Sequence, residues 1–242
     1  MKVLFITRLY FPHVGGVERH LEEITNRLVK KGYEFKIIAQ KYNKILPIHE
    51  LIKKNVEVYR ISYPEIKMMG LLKIWLEIWR LRKLIKESDF IHVHDVFIWY
   101  FPFRLLFPRK RVYITFHGWE GKYPVPKRNI LLNMVASRLT LKNLCAGKFI
   151  EKYYHIKADY TYYTATTPPR SSSYRKDRKL VIYVGRLDED TGLLKILEAL
   201  KKIKKEVNIH FYGDGPLMNE CRKIGNVNGF VNPMIFYKKS SI

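Results

Sequence analysis

Five short segments carry the side chains best suited to chemistry in this 242-residue chain. Each follows an apolar run, and the five are Tyr10 to Glu18, Ile91 to Asp95, Thr115 to Gly118, Tyr183 to Leu187 and Phe211 to Pro216. In the first, Gly15 and Gly16 leave bare backbone N–H groups at a helix start, where an anion can approach them closely. Glycine in such a turn also has a purely geometric explanation, so the loop by itself leaves both interpretations open.

The spacing of apolar residues predicts the elements that position these segments. Val3 to Ile6 forms a buried strand, and positions 17, 21, 24 and 28 give the next helix one apolar face. Further strands are predicted over 35–39, 56–61, 90–94 and 111–116, with 56–61 alternating as an edge strand does. Residues 1–165 are therefore expected to form one doubly wound α/β domain, whose ligands gather outside the C-terminal ends of the strands.

A second domain is predicted after a linker. Residues 166–179 contain two prolines, three serines and five basic residues, a composition that cannot bury enough surface to pack. Strands over 180–184 and 207–212, with helices over 193–205 and from Pro216, then repeat the strand-helix pattern. The predicted second domain covers 180–242.

The charge of +23 predicts attraction to polyanions, which include nucleic acid, anionic lipid and phosphorylated substrates. Cys145 and Cys221 are too few and too far apart for a disulfide framework or a thiolate metal site. The N-terminus lacks the plan of a signal peptide, and no apolar run is long enough to span a membrane, so a cytoplasmic location is expected.

The helix predicted over Leu71 to Lys86 has two interpretations. Trp75 and Trp79 beside basic residues are typical of a helix lying at a membrane surface, here the inner face, in contact with anionic lipid. The alternative is a crossover helix that packs its apolar stripe on the sheet.

Together, in this order at strand ends, the segments resemble the retaining glycosyltransferases of the GT-B fold, family four, also called group 1. The segment from Gly147 to Tyr163 adds to the resemblance. The resemblance implies two Rossmann-like domains. The first lies on the acceptor side, and the second binds a nucleotide-sugar. The implied reaction moves a sugar from that donor to a lipid-linked or polysaccharide acceptor with retention, without cofactor or metal ion.

The resemblance also implies roles for individual residues. His117 is the catalytic candidate, lying against the transferred sugar, and Arg186 pairs with the donor diphosphate and neutralises leaving-group charge. The other donor-side candidates are Gly15, Gly16, Thr191, Gly192, Gly213 and Gly215. The acceptor-side candidates are His92, His94, Asp95 and Glu120, with His13 and Glu18 as further candidates for the cleft.

Two departures from the family pattern bear on activity. Thr191-Gly192 stands where the family usually has lysine and glycine, so one phosphate-binding cation is replaced by a hydroxyl. The family's two donor-binding glutamates, spaced eight apart, are absent, and the second domain is expected to be incomplete and C-terminally truncated. Autonomous activity is therefore expected to be weak or absent.

Two other functions stay open. A non-catalytic subunit could pair with a separate chain that completes the second domain, because the predicted sheet has an open edge. A nucleic-acid-binding protein would use the positive charge alone, since no sequence-reading motif accompanies it; specific nucleic-acid recognition is not expected.

Overall fold

The computed structural model of the chain describes residues 1–13, 15–62, 67–118, 124–162, 180–203, 207–229 and 231. The chain divides into two compact units, Met1–Thr164 and Ala165–Ile242. The predicted linker over 166–179 and the acceptor-side candidate Glu120 both lie outside the described residues.

The first unit is built on eight strands. They are β1 (Lys2–Ile6), β2 (Glu34–Gln40), β3 (His49–Lys53), β4 (Val56–Ile61), β5 (Phe90–His94), β6 (Arg111–Phe116), β7 (Lys142–Cys145) and β8 (Tyr160–Thr161). The helices are α1 (Gly16–Val29), α2 (Lys67–Arg80), α3 (Arg82–Glu87), α4 (Phe97–Leu106), α5 (Lys127–Leu139) and α6 (Lys148–Tyr154).

The strands form one sheet in the order β3-β4-β2-β1-β5-β6-β7-β8, parallel except for β3. This is the doubly wound α/β arrangement predicted from the sequence. The prediction that 56–61 is an edge strand is wrong, because β4 pairs with β2 on one side and with β3 on the other. In the described sheet the edge strand beside β4 is β3, whose five residues lack a run of apolar residues long enough to predict it, and the other edge strand is β8.

Helices cover both faces of this sheet. Side chains alternate between the two faces along each strand, so apolar residues of one strand contribute to a core on each side. Val3 and Phe5 face α1, whose Leu21 is buried and whose Val17, Ile24 and Leu28 pack around it, as predicted. Leu4 and Ile6 face the opposite way, into the core formed with helices α2 to α6. Burial on both faces explains the nearly continuous apolar runs of the central strands.

The helix predicted over 71–86 is interrupted at Leu81, which separates α2 from α3. Ile74, Ile78 and Ile85 are buried, and the Trp75 indole packs there while its Nε1 donates to the Ile98 carbonyl at 2.9 Å. Most of the apolar stripe therefore packs against the sheet as a crossover helix would, whereas Trp79 is 44% exposed. Every helix in the described ranges is too short or too polar to cross a bilayer.

The second unit has a smaller described sheet. Strands β9 (Leu180–Val184), β10 (Asn208–Tyr212) and β11 (Asn226–Val227) are parallel in the order β11-β10-β9. Helices α7 (Leu193–Ile203) and α8 (Met218–Arg222) accompany them, and a 3-10 turn over Glu189–Thr191 precedes α7. Leu193, Leu197 and Leu200 pack with Ile209 and Phe211 in a separate core. The predicted strands and helices are present, with boundaries shifted by a few residues.

Candidate functional site

A cavity of about 690 Å³ lies at the C-terminal ends of β1, β5 and β6 in the first unit. The sheet order explains its position: β1 and β5 are neighbours, yet the chain leaves β1 toward β2 and leaves β5 toward β6. Connections that diverge from neighbouring parallel strands leave a crevice where ligands bind in such folds. The cavity thus occupies the place predicted for a site.

Two acceptor-side candidates and His117 meet at the polar end of this cavity. His94 Nδ1 lies 3.0 Å from His117 Nε2, within hydrogen-bonding distance. The His117 backbone N–H donates to Asp95 Oδ1 at 2.8 Å, and Asp95 itself has a left-handed backbone with φ of 60°. His94 pairs in register with Thr115, so strand alternation places His117, two residues later, on the same face.

His92 lies one layer below this pair rather than in the lining of the cavity. Its ring stacks on His94 with centroids 4.4 Å apart, and its Nε2 is 2.8 Å from Thr115 Oγ1. The fully buried Thr115 hydroxyl therefore anchors His92. The predicted acceptor-side group is close together in space, but only His94 and Asp95 line the cavity among its described members.

His20 and Tyr162 complete the cluster, and sequence reasoning assigned a role to neither. The Tyr162 hydroxyl is 3.0 Å from His20 Nε2 and the two rings stack, while the His20 ring lies 5.2 Å from that of His117. His20 borders the buried face of α1, between Val17 and Leu21, and that position was the available sequence signal. The imidazoles of His20, His94 and His117 lie against one another, and that of His92 stacks on His94. We call these four side chains the histidine cluster.

Burial keeps the histidine cluster uncharged. It lowers the pKa of His92 and of His117 to about 3, with a further contribution from neighbouring imidazoles. It lowers the pKa of His94 well below the ordinary value. Burial also lowers the pKa of His20. For Asp95 the same burial acts in the opposite direction and raises the carboxyl pKa to about 7, against N–H donors that lower it.

The wall of the cavity opposite the cluster is apolar. It is formed by residues of α4, by residues of α5 and by the residue before α4, and they are Val96, Phe97, Ile98, Phe101, Leu131, Leu132 and Val135. Asn129 and Asn133 on α5 add amide groups, and Arg8 adds a cation near the end of β1. The site therefore joins a polar end, able to hold hydroxyl or phosphate oxygens, to an apolar wall.

The Gly15-Gly16 turn is shaped by a carboxylate. A Cβ on Gly15 would lie 2.4 Å from Glu18 Oε2, whereas a Cβ on Gly16 would meet nothing within 4 Å. Glu18 lines the cavity and pairs through Oε1 with His13 Nδ1 at 3.0 Å; His13 itself does not line it. A side chain at position 15 would therefore displace the flexible end of Glu18, whereas one at position 16 would displace nothing.

The donor-side candidates of the second unit come together at the C-terminal ends of β9 and β10. Arg186 lies two residues after the end of β9, its side chain is 67% exposed, and Nη1 lies 3.9 Å from Asp188 Oδ2. Thr191 Oγ1 donates to the Asp188 carbonyl at 2.6 Å, so its hydroxyl ties the turn that precedes α7. Gly192, with φ of 75°, joins that turn to the first residue of α7.

Gly213 and Gly215 are explained by close backbone packing. A Cβ at Gly213, with φ of 151°, would lie 1.9 Å from the Gly185 carbonyl oxygen, and one at Gly215 would lie 2.4 Å from that of Leu187. The Gly213 N–H donates to the Gly229 carbonyl, and the Gly215 N–H donates to Asp214 Oδ1. The bond to Gly215 keeps Asp214 within its own turn, and no side chain caps α8. That Gly213 and Gly215 bind a nucleotide-sugar donor stays a prediction.

In the part of the chain that the structure describes, no group of three or more His, Cys, Asp or Glu side chains is arranged to hold a metal ion. Metal-independent chemistry stays a prediction.

Comparison with known proteins identifies the family. The model of Glycosyltransferase Family 4 matches residues 14–146, more than half of the chain and most of the first unit. The chain belongs to Glycosyltransferase Family 4. A search of curated protein sequences finds no significant match.

Solved structures of GT-B glycosyltransferases match this family member over almost its full length. Sucrose-phosphate synthase of Thermosynechococcus elongatus is 14% identical with a TM-score of 0.77, and the match covers 99% of this chain and 73% of that one. Anabaena HepE, solved with UDP and glucose, is 16% identical with a TM-score of 0.67, covering 99% and 72%. Acinetobacter baumannii MurG is 15% identical with a TM-score of 0.58, covering 99% and 71%. The fold is a GT-B fold.

Proposed function

We propose that this protein takes part in transfer of a sugar, with retention, from a nucleotide-sugar donor to an acceptor that carries an apolar group. The observation that carries the proposal is the first-unit cavity, which joins the polar groups of His94, Asp95 and His117 to an apolar wall. An oligosaccharide alone would leave that wall unused, whereas a lipid-linked acceptor would cover it. A polysaccharide acceptor is thereby disfavoured.

The proposed donor is a nucleoside diphosphate sugar, as suits a relative of a protein solved with UDP and glucose. Arg186 is exposed at a strand end, and its guanidinium can bind phosphate oxygens in pairs. The turn that leads into α7 lies beside it, since Thr191 Oγ1 is 3.4 Å from the Arg186 carbonyl oxygen, and the first N–H groups of α7 can bind an anion. In this scheme these groups, rather than a metal ion, neutralise the leaving diphosphate.

His117 is the proposed contact to the transferred sugar. Its ring lines the cavity, and burial keeps it neutral. A neutral imidazole offers one hydrogen-bond donor and one acceptor without the desolvation cost of a charge. It therefore suits recognition of a hydroxyl group better than stabilisation of a negative leaving group.

An apolar acceptor is proposed to reach the protein at an anionic membrane surface, with α2 in contact. Leu72, Leu76 and Trp79 are exposed along α2 at spacings of four and three, so they share a face that the sheet does not use. Exposed Lys73 and Arg80 flank them. Apolar side chains beside cations are typical of peripheral contact with anionic lipid.

Transfer is tested with purified protein, labelled nucleotide sugars and either a lipid extract or a soluble oligosaccharide as acceptor, with and without a chelator. We expect labelled product only with lipid, unaffected by chelation, and with its anomeric configuration retained by NMR. Leu131→Asp should reduce transfer about tenfold or more, because Leu131, 61% exposed, lines the cavity. Leu141→Asp, at a leucine 55% exposed outside the cavity, is the matched control.

Other outcomes distinguish the alternatives. Equal transfer to the soluble oligosaccharide would reject the apolar acceptor. No transfer and no donor hydrolysis would reject autonomous catalysis, and an added partner chain that restores transfer would favour the subunit hypothesis.

Membrane contact is tested by cosedimentation with vesicles that contain or lack phosphatidylserine. Replacing Leu72 and Leu76 by Ser should release the protein, whereas replacing the exposed Ile45 and Leu51 by Ser should not.

A further inference from the structure

His94 has one bonded and one unbonded ring nitrogen inside the histidine cluster. The side chain is 1% exposed, and Nδ1 lies 3.0 Å from His117 Nε2. Nε2, in contrast, is buried and has no hydrogen-bond partner among the residues that the structure describes. Such an atom is unusual, because most buried polar atoms in native structures are satisfied. Phe5 meets the His94 ring at an angle of 78°, with centroids 4.9 Å apart, and supplies no hydrogen-bonding atom.

This asymmetry decides where the hydrogen of His94 lies. A neutral imidazole carries one N–H, which can be on either nitrogen. With the hydrogen on Nε2, His94 would bury a donor without an acceptor, a rare arrangement in native proteins. With the hydrogen on Nδ1, the donor faces the lone pair of His117 Nε2 at ordinary hydrogen-bond length. Burial disfavours the doubly protonated ring, so the Nδ1–H form remains.

We propose that His94 is a positioning residue that donates its Nδ1–H to His117 Nε2 and thereby fixes the hydrogen of His117 on Nδ1. His117 Nε2 must then act as the acceptor, and the ring keeps its single N–H on the other nitrogen. That nitrogen makes no hydrogen bond within the described part of the chain, and the ring lines the cavity. His117 therefore presents a neutral donor.

The assignment narrows the chemistry available at His117. An Nδ1–H group binds an oxygen lone pair, such as that of a sugar hydroxyl, and cannot remove a proton from it. His117 is then a recognition group and not a general base. The ring is also held from a second side, since His20 lies against it while bonded to Tyr162. The part of His117 in sugar transfer rests on the proposed function, whereas the position of its ring hydrogen does not.

The experiment measures the tautomer directly. Long-range ¹H–¹⁵N correlation NMR on protein with ¹⁵N-labelled histidine distinguishes Nδ1–H from Nε2–H rings by their cross-peak patterns. The His117 signals are assigned by their loss in His117→Gln and those of His94 by their loss in the His94 variants. We expect the Nδ1–H pattern for both residues at pH 7. An Nε2–H pattern for His117 in the unsubstituted protein would overturn the proposal.

Variants test whether His94 is the cause. His94→Phe removes the donor, so the His117 pattern should shift toward the Nε2–H form or an average of the two forms. His94→Asn, which offers an amide N–H near the position of Nδ1, should restore the Nδ1–H pattern. His92→Phe is the matched control, because His92 stacks on His94 but bonds to Thr115 and not to His117. An unchanged His117 pattern in folded His94→Phe would also overturn the proposal.

Activity gives a second readout, separate from the first. If transfer is established, His94→Phe should lower kcat about tenfold with little change in KM for the lipid acceptor, and His94→Asn should recover most of it. A protein with the expected tautomer but no transfer would keep the assignment and reject the proposed function. The reverse result, transfer with His117 in the Nε2–H form, would reject the assignment alone. If His94→Phe does not fold, the spectrum of the unsubstituted protein decides.

Discussion

The candidate sites of the two units are built on different principles. In the first unit, His94 and His117 are polar side chains desolvated against one another, and burial shifts their pKa values. In the second unit, Gly213 acts through close backbone packing and Arg186 is exposed. The first arrangement holds neutral hydrogen-bonding groups in fixed positions, whereas the second places an exposed guanidinium beside the Asp188 carboxylate. A neutral sugar suits the first, and a charged phosphate suits the second.

The comparison predicts that the second unit is the more sensitive to a single added methyl group. Gly213→Ala places a Cβ 1.9 Å from the Gly185 carbonyl oxygen, so β9 and β10 must separate. We expect the free energy of unfolding of the second unit to fall by more than about 4 kcal/mol. Hydrogen exchange of peptides from β9 and β10 measures this change in stability. Gly192→Ala, at φ of 75° but in open space, should cost only about 1–2 kcal/mol. Equal protection in the two variants would refute the packing argument.

A pH dependence is expected from the histidine cluster. The unfolded chain takes up protons near the ordinary histidine pKa of 6.5, whereas folded His92 and His117 stay neutral until about pH 3. The unfolded state therefore binds more protons, and stability falls as the pH drops through that window. His92→Phe should reduce the slope of the free energy of unfolding against pH by about 1.4 kcal/mol per pH unit, which is the contribution of one proton. Denaturant unfolding at several pH values measures it.

The exposed His155, outside the histidine cluster, provides the control for that experiment. His155→Asn keeps a residue type that tolerates the left-handed backbone found there, at φ of 50°. Its slope should match that of the unsubstituted protein. A His92→Phe slope that also matches would show that the cluster is hydrated in the native state.

Ionisation of Asp95 should make stability depend on pH in the opposite direction. Its folded pKa of about 7 lies above the ordinary value of 3.8, so ionisation destabilises the folded state as the pH rises between these values. Asp95→Asn keeps an oxygen for the His117 N–H and suits the left-handed backbone. We expect its stability relative to the unsubstituted protein to rise between pH 5 and pH 8, by at least about 1.4 kcal/mol. Thermal unfolding at both values checks this, and a pH-independent difference would contradict it.

The smallest expected effect separates geometry from function in the Gly15-Gly16 turn. Gly16→Ala adds a methyl group in open space at the first residue of α1 and should stabilise the protein by about 0.4–1 kcal/mol. Gly15→Ala must displace the Glu18 carboxylate and should be mildly destabilising. If an anionic donor approaches this turn, Gly16→Ala should nevertheless reduce nucleotide-sugar turnover. Stabilisation with full turnover would leave geometry as the sufficient explanation.

Sequence spacing predicted the central strands and which polar side chains lie at their C-terminal ends, whereas the chemistry of those side chains stays a prediction. The apolar runs at β1, β5 and β6 are buried on both faces, a local pattern that the sequence carries directly. The short β3 has no such pattern, and its pairing beside β4 was missed. For α2, periodicity predicted a helix but could not tell which apolar residues face the sheet, because apolar residues occur on more than one side.

What the sequence by itself determined is the positions along the chain of β1, β2, β4, β5, β6, β9 and β10, the places of His92, His94, Asp95 and His117 at strand ends, and the family resemblance that the comparison then confirmed. These features depend on neighbouring residues, for which spacing is informative. Only the tertiary structure decided that Tyr162 bonds to His20, 142 residues earlier, and that His94 bonds to His117. Such contacts depend on which strands lie side by side, and sheet order is a non-local property that periodicity along the chain does not encode.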